Sequence, residues 1–418
     1  MSPQHMGGFM LSDKQHSVSR RDLFRLFKTY GVTSTMLAAG AMTGMISLPR
    51  LAEAANSTYN KRFKNQPKHT LKFGAAGFNE KNLLIERAGC LTFVQDLEER
   101  SDGAIRVEFI GNNQICGQLN CLSKTQQGII DFYAASTQNS AGSAPYLNVL
   151  DYAYMFPSRA SQYHFLYHPD SQKILRDPMR KRHGIQFLFS HAELRGIMLG
   201  LKWKDKPLVT SVKQLAGTKN RVTGTQLGRI AMNLMNLNPV PIAWEETLDG
   251  LKQGLIDGAE TWASAVAYAN MSPVVSQVVN LEFFCGTEHT GMNAKTFDKV
   301  GGQLQDAIME SAYLTQVHVQ AAHEAALVNT CGFSDPVLPG TIFAKNNTRV
   351  AMLNDAARKE AEEMCSPKHH PKAWEEWRTR LNGWAGGIDT YTEISKIARE
   401  IPAGTLAENV EPRRWWKA

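Results

Sequence analysis

The chain has 418 residues, 43% of them hydrophobic and 20% charged, with a formal net charge of +7. These figures exclude disorder, collagen and coiled coil as the dominant state, and only one stretch could enter a membrane, which excludes a polytopic membrane protein. Residues 1–54 carry six Lys/Arg and three acids, so the remainder is only mildly basic. No long Lys/Arg run follows, and nucleic acid is not an expected partner.

The N-terminus reads as an export signal. Ser19-Arg20-Arg21-Asp22-Leu23-Phe24-Arg25 precedes a weakly apolar run from Gly31 to Leu48, and Ala52-Glu53-Ala54-Ala55 offers a small-x-small cleavage site. The paired arginines match the twin-arginine route. Cleavage is expected after Ala54, and an uncleaved anchor is the alternative. All six cysteines lie beyond that point, where export permits disulfides. Cys116 and Cys121 are close enough in sequence for a small staple, Cys331 and Cys365 are a distant second possibility, and free buried thiols remain open. No CxxC or CxxCH occurs, so neither zinc nor covalent haem is expected.

From Thr70 the pattern is βα. Thr70–Ala75 alternates as a strand, 79–100 has helical period, Ser101-Asp102-Gly103 turns, and Ala104–Ile110 is a second strand. A short helix from Leu119 closes on Gly128 before a strand at 129–134. Leu122-Ser-Lys-Thr-Gln-Gln-Gly-Ile-Ile-Asp131 is echoed by Leu248-Asp-Gly-Leu-Lys-Gln-Gly-Leu-Ile-Asp257. The echo fits two similar lobes, although helix-Gly-strand units recur in α/β proteins generally. A second unit starts near Gly196. It has a strand to Trp203, a short helix at 211–216, a strand at 219–222, a helix at 226–237, a strand at 240–244 and a helix at 245–253. A long helical pattern runs over 297–329, further helices are expected at 349–364 and 373–385, and Pro412–Ala418 has no readable order. Alternating strands and helices predict parallel sheets with helical crossovers.

Arg221 ends a strand, and Thr223-Gly224-Thr225 opens a helix behind it. Strand ends and helix N-termini collect anions in open α/β sheets, and a guanidinium grips a carboxylate with two bonds. A surface salt bridge is the alternative for this residue. The segment lacks G-x-G-x-x-G and G-K-[ST], so no nucleotide cofactor is expected. Trp203, Trp244 and Trp262 fall near strand ends, where indoles wall pockets or pack as core. Glu260-Thr261-Trp262 places polar groups and an indole at one such end. Glu245-Glu246 reads as a helix N-terminal pair. His289, His318, His323, His369 and His370 form no metal motif, and neither H-E-x-x-H nor G-x-S-x-G is present.

Three blocks then resemble one family. They are Leu97–Ile115 with Gly128-Ile-Ile-Asp131 behind it, Gln214–Val222, and Pro241-Ile-Ala-Trp-Glu-Glu-Thr-Leu-Asp-Gly-Leu-Lys-Gln-Gly-Leu-Ile-Asp-Gly-Ala-Glu260. Their order and spacing are similar to the solute-binding proteins of TRAP transporters, the C4-dicarboxylate-binding type. The resemblance implies an α/β, two-lobed periplasmic binding protein fold, each lobe a mostly parallel sheet flanked by helices, with a long helix spanning both. It implies a signal peptide over 1–54, one lobe from 55–196 and 287–330, and the other from 197–286 and 331–418 with the C-terminal helices. It further implies a periplasmic receptor rather than an enzyme, with no cofactor, that delivers a small organic anion to membrane subunits. Arg221 takes the place of the family's carboxylate-clamping arginine, Trp244 that of a pocket aromatic, and Thr261 and Trp262 those of the polar or aromatic positions after Asp-Gly-x-Glu260. Where a second arginine often stands in a Gly-x-Arg pattern, Gly200-Leu201-Lys202 is found, which makes Lys202 the second cationic candidate. Two tryptophans at the site point to a flat or apolar ligand, or to a cation on an indole. A twin-arginine-exported enzyme and a ligand-sensing partner of a membrane receptor are the competing readings.

Overall fold

The structure is a computed structural model that describes residues 61–77 and 87–417. The export signal, and residues 79–86 of the first expected helix, lie outside the described residues. The chain divides into a small unit, Met1–Pro67 with Asp102–Ala104, and a large one, Lys68–Ser101 with Ile105–Ala418. In the small unit the backbone N–H of Lys64 donates to Asp102 Oδ1 at 3.1 Å.

Two sheets organise it. The first has the order β2-β1-β3-β10-β4, from β1 (His69–Ala75), β2 (Ile105–Ile110), β3 (Phe132–Ser136), β4 (Ile185–Ser190) and β10 (Glu288–Asn293). The second has the order β11-β9-β5-β8-β6-β7, from β5 (Glu193–Gly200), β6 (Lys219–Val222), β7 (Asn238–Pro241), β8 (Gly258–Thr261), β9 (Val275–Gly286) and β11 (Arg349–Met352). The sheets are mixed more than the βα alternation implies. β1 runs parallel to β2 and β3, and β6 parallel to β7 and β8, as expected. Antiparallel pairs enter wherever β4, β5, β9 or β10 meets a neighbour other than β11. Those four strands carry the chain between the sheets, β4 into β5 through His191-Ala192 and β9 into β10 through Thr287. A strand that arrives from the other sheet needs no helical crossover and so is free to pair antiparallel.

The internal echo has a structural counterpart. Gly128 (φ 74°) and Gly254 (φ 71°) both end their helices in the left-handed conformation that glycine favours. The Asp131 carboxylate accepts from Lys72 N at 2.8 Å while Asp131 N donates to Lys72 O at 2.9 Å. Asp257 repeats this on Lys219, at 2.9 and 2.7 Å. In each sheet the aspartate, placed just before its own strand, is bonded to the adjacent parallel strand.

Three other expectations change. Arg349–Met352 is a strand, β11, parallel to β9, and the helix begins only at Asp355, capped by the Asn354 side chain. The predicted strand at 240–244 ends at Pro241, and Trp244 opens a 3-10 turn. The unreadable C-terminus is anchored, with Trp415 1% exposed under the Arg176 guanidinium. The long helix spans Gly302–Ala326 and continues into a wider turn to Cys331. It packs on β4 of the first sheet, and its His323 Nε2 meets Glu193 of β5, in the second, at 3.1 Å. Among the described residues no helix is long and apolar enough to cross a membrane. Cys116 and Cys121 form a disulfide. Cys331 and Cys365 do not pair: they are free buried thiols, as is Cys285.

Candidate functional site

The pocket lies at the carboxyl ends of β6 and β8. It is nearly closed, with about 10 Å³ of free volume, and is lined by Gln118, Asn139, Arg195, Arg221, Trp244, Thr261, Trp262 and Tyr268. Four of the six residues singled out from sequence line it. Arg221 is fully buried, with Nε donating to Ile242 O at 3.1 Å, Nη1 to Glu260 O at 3.4 Å and Nη2 to Asn139 Oδ1 at 3.3 Å. Its guanidinium lies 5.2 Å from the Trp244 ring centre. Thr261 and Trp262 are 1% and 3% exposed.

Glu260 sits behind the pocket wall. On β8 alternate side chains face opposite ways, and its carboxylate is committed to a buried ion pair with Arg195 of β5. Arg195 Nε donates to Oε1, and Nη2 donates to Oε2 at 3.0 Å and to Glu260 O at 3.1 Å.

Lys202 does not join the site. It follows β5 in an exposed turn, with its side chain 62% exposed and its ammonium 2.9 Å from Asp257 Oδ1. Asp257 precedes β8 and Thr261 ends it, so at about 3.3 Å per residue Lys202 belongs to the opposite edge of the sheet from the pocket. The second arginine of this site is Arg195, five residues ahead of the Gly200-Leu201-Lys202 pattern. Arg195 fits because Gly286 makes room: a Cβ there would meet Arg195 Cγ at 2.3 Å. Gly196 serves the close approach of β5 to β9, since a Cβ there would meet the Val279 carbonyl oxygen at 2.1 Å. A charged side chain in a strand with no exposed face was the available signal, since every residue of β5 is buried.

Gln118 also went unread. The Cys116–Cys121 disulfide closes the loop that carries it. Its Nε2 donates to Ala76 O at 3.4 Å and to Glu288 Oε1 at 3.3 Å, and its Oε1 accepts from Ser136 N at 2.8 Å and from Asn139 Nδ2 at 3.2 Å. Its backbone N–H donates to Glu245 Oε1 at 3.2 Å. Together with Thr223–Gln138 and Thr225–Asn148 contacts at 3.3 and 3.1 Å, these bonds join loops of the two sheets across the pocket.

Among the described residues no carboxylate is bonded to Arg221: its partners are neutral acceptors, and Glu260 and Glu245 act on it only through space. Burial lowers Arg221 to about 9, still charged at neutral pH, and Arg195 is balanced by Glu260. Among the described residues Arg195 Nη1, Thr261 Oγ1 and Trp262 Nε1 are buried without a hydrogen-bond partner. Three orphaned polar groups beside a guanidinium with no bonded carboxylate form a site for an anion with hydrogen-bonding capacity, because each orphan otherwise costs about 1–3 kcal/mol.

One trio of metal-ligating type occurs among the described residues, His191, Glu193 and His323. Part of its bonding capacity is spent within the protein, while His323 Nδ1 and His191 Nε2 are buried without a partner among the described residues. Glu193 accepts from Ser264 N and Oγ at 3.1 and 2.5 Å and meets His323, while His191 Nδ1 accepts from Glu288 N at 3.1 Å. The trio works as a strut between the long helix and β5.

Two carboxyls beside the site are pushed up by burial, Asp151 to about 7 and Glu288 to about 8. Between their ordinary values and these, the folded state binds more protons than the unfolded chain, so stability falls as pH rises. Buried His289, lowered to about 4, acts oppositely but only below its ordinary value near 6.5. Between pH 6.5 and 8.5 the denaturant midpoint should therefore drop, by on the order of 1–2 kcal/mol of stability. Glu288, with the higher folded value, carries most of this fall, so Glu288→Gln should flatten the slope, and an unchanged slope would remove Glu288 as its source.

A two-sheet α/β fold with an anion pocket at strand ends defines the class of a solute-binding receptor. Residues 78–330 match the bacterial extracellular solute-binding proteins of family 7, and the chain belongs to that family. The fold is shared with a TRAP periplasmic solute-binding protein from Bordetella bronchispeptica (TM-score 0.65, 19% identity, 81% of this chain and 100% of that one). It is likewise shared with one from Sulfurospirillum deleyianum (TM-score 0.62, 17% identity, 79% and 100%). A solute-binding protein of Roseobacter denitrificans is 23% identical over 264 residues, 63% of this chain and 78% of that protein.

Proposed function

We propose that the protein is the periplasmic receptor of a TRAP-type transporter and binds a small monocarboxylate between its lobes, for delivery to membrane subunits. The lobes meet where the chain passes between the sheets, at His191-Ala192 and Thr287. The observation that carries the ligand charge is the guanidinium of Arg221, whose bonded partners are all neutral. A dicarboxylate would need a second free fork, and Arg195 has spent Nε and Nη2 on Glu260. Arg221 holds the carboxylate, Arg195 Nη1, Thr261 Oγ1 and Trp262 Nε1 complete its bonds, and Trp244 covers it. Glu260 acts only by holding Arg195. The Bordetella structure has density assigned to pantoate and the Sulfurospirillum one has bound succinate, so the fold accommodates both mono- and dicarboxylates. Binding and release require no covalent step, and the family membership supports a receptor over an enzyme.

Calorimetric titration against monocarboxylates and matched dicarboxylates tests this reading. At least one monocarboxylate should bind tenfold or more tightly than its dicarboxylate counterpart, and the reverse order would overturn the charge argument.

Export through the twin-arginine route follows from Arg20 and Arg21. Replacing both with Lys should retain full-length precursor in the cytoplasm, readable by fractionation and blotting. Normal periplasmic recovery of that variant would refute the route.

A further inference from the structure

The loop that carries Gln118 is held at several points. The Cys116–Cys121 disulfide closes it, and the staple packs directly on β1, where a Cβ on Gly74 would meet Cys116 Sγ at 2.8 Å. Gly117 N donates to Asn120 Oδ1 at 3.0 Å, and Cys121 N to Gly117 O at 3.1 Å. Gln118 itself is 3% exposed, and its side-chain amide is fully bonded. A primary amide offers two N–H donors and about two acceptor sites. Nε2 spends its donors on Ala76 O and Glu288 Oε1, and Oε1 accepts from Ser136 N and Asn139 Nδ2.

That saturation fixes an orientation. A backbone N–H such as that of Ser136 can only donate, and a backbone carbonyl such as that of Ala76 can only accept, so the Gln118 amide cannot turn over. Its oxygen faces Asn139, which must therefore present Nδ2 to Gln118 and turn Oδ1 the other way, to Arg221 Nη2 at 3.3 Å. Asn139 is 5% exposed and follows β3 of the first sheet, whereas Arg221 lies on β6 of the second, so the relay crosses from one sheet to the other. Turned over, Asn139 would set its NH2 group against the guanidinium, donor against donor, where neither meets water. A carboxylate at the same place would hold the guanidinium but discharge it. The Gln118 amide thus determines that Arg221 meets a neutral acceptor from the first sheet.

We propose that Gln118, held by the Cys116–Cys121 staple, is a positioning residue for anion capture: it locks the Asn139 amide so that the amide oxygen steadies the Arg221 guanidinium without neutralising it. The inference rests on the reading of Arg221 as the carboxylate anchor. It adds a determinant of affinity that acts on Arg221 through Asn139, and it gives the staple a task at the site.

Calorimetric titration of the parent with pyruvate, D-galactonate and succinate selects the tightest-bound of these acids as the probe. Gln118→Met, similar in length and without hydrogen-bonding groups, should weaken that probe about tenfold, and so should Asn139→Ala, the equivalent of about 1.4 kcal/mol for each. The double variant should bind within about twofold of Asn139→Ala alone, because Gln118 then has nothing left to orient. Melting temperature should behave differently. It should fall further in the double variant, since the Gln118 bonds to Ser136, Ala76 and Glu288 do not pass through Asn139. Should Gln118→Met fail to fold, Gln118→Asn keeps the amide but falls one methylene short of its partners, and it carries the same prediction. Affinity within about threefold of the parent in a folded Gln118 variant, or losses that multiply in the double variant, would overturn the positioning role while leaving the anion site standing. Unchanged affinity in Arg221→Ala, or binding of none of these acids at millimolar concentration, would overturn the anion site and the positioning role with it.

Discussion

Arg221→Ala should weaken monocarboxylate binding roughly 30-fold to several thousand-fold. The guanidinium is fully buried at the end of β6, and its present partners are two carbonyl oxygens and the Asn139 amide oxygen, at 3.1–3.4 Å. Neutral acceptors at those distances hold the side chain in place without discharging it, so its charge is available to a carboxylate. Truncating one partner of a desolvated charge pair costs about 2–5 kcal/mol, and each 1.4 kcal/mol is about tenfold in affinity. Arg221→Lys keeps the charge, loses the planar fork and cannot reach Ile242 O and Asn139 together, so it should recover only part of the loss. The fold should survive, because an unliganded Arg221 is itself an electrostatic burden: burial and the neighbouring Arg195 charge lower it to about 9. Calorimetric titration beside a thermal melt checks both halves. Affinity within about threefold of the parent in a folded Arg221→Ala protein would place the anion site elsewhere.

What could be read from the sequence divides along physical lines. Local signals survived folding. The Gly128–Asp131 and Gly254–Asp257 echoes became matching helix ends and strand pins, because a left-handed glycine and an aspartate bonded to an adjacent strand are short-range devices. Arg221, Thr261 and Trp262 lie at the ends of short strands whose direction is set by the parallel βα units, so their convergence followed from topology. Arg195 and Gln118 had no such marker. Arg195 lies on β5, a strand buried from Glu193 to Gly200, where charge can be explained only by a partner 65 residues away on β8. The Val275–Gly286 strand has almost no exposed position, so it lacks the period-two alternation that betrays a half-buried strand. Arg349–Met352 was absorbed into the helical pattern behind it, because four residues are too few to establish a period and its pairing with β9 is long-range. Lys202 was misplaced by one strand length. A Gly-x-basic pattern carries no information on which end of the sheet it occupies, and that is decided by Asp257 at the entry of β8.

Glu260→Gln should both destabilise the protein and change which acids it prefers. The Arg195–Glu260 pair is 1% and 0% exposed and doubly bonded, so its carboxylate cancels one of the two buried guanidinium charges beside the pocket. Breaking a buried pair by removing one partner costs about 3–5 kcal/mol, because the other charge stays desolvated. The amide keeps the shape and one acceptor, which places the loss at the low end of that range. The pocket would then carry two guanidinium groups with no bonded carboxylate where it now carries one, and the Arg195 fork would be partly released toward the ligand. A second ligand carboxylate would neutralise that charge, so the unfavourable folding term and a favourable binding term share one cause. Succinate affinity relative to a monocarboxylate of the same length should rise tenfold or more, and saturating succinate should restore more of the lost melting temperature than the monocarboxylate does. Arg195→Ala is the opposite case. It leaves the Glu260 carboxylate unpaired beside Arg221, where the two can satisfy each other, and so it should depress binding of every anion while costing comparable stability. Glu260→Gln with unaltered stability and an unaltered ratio of succinate to monocarboxylate affinity would show that the pair does not set the charge of the site.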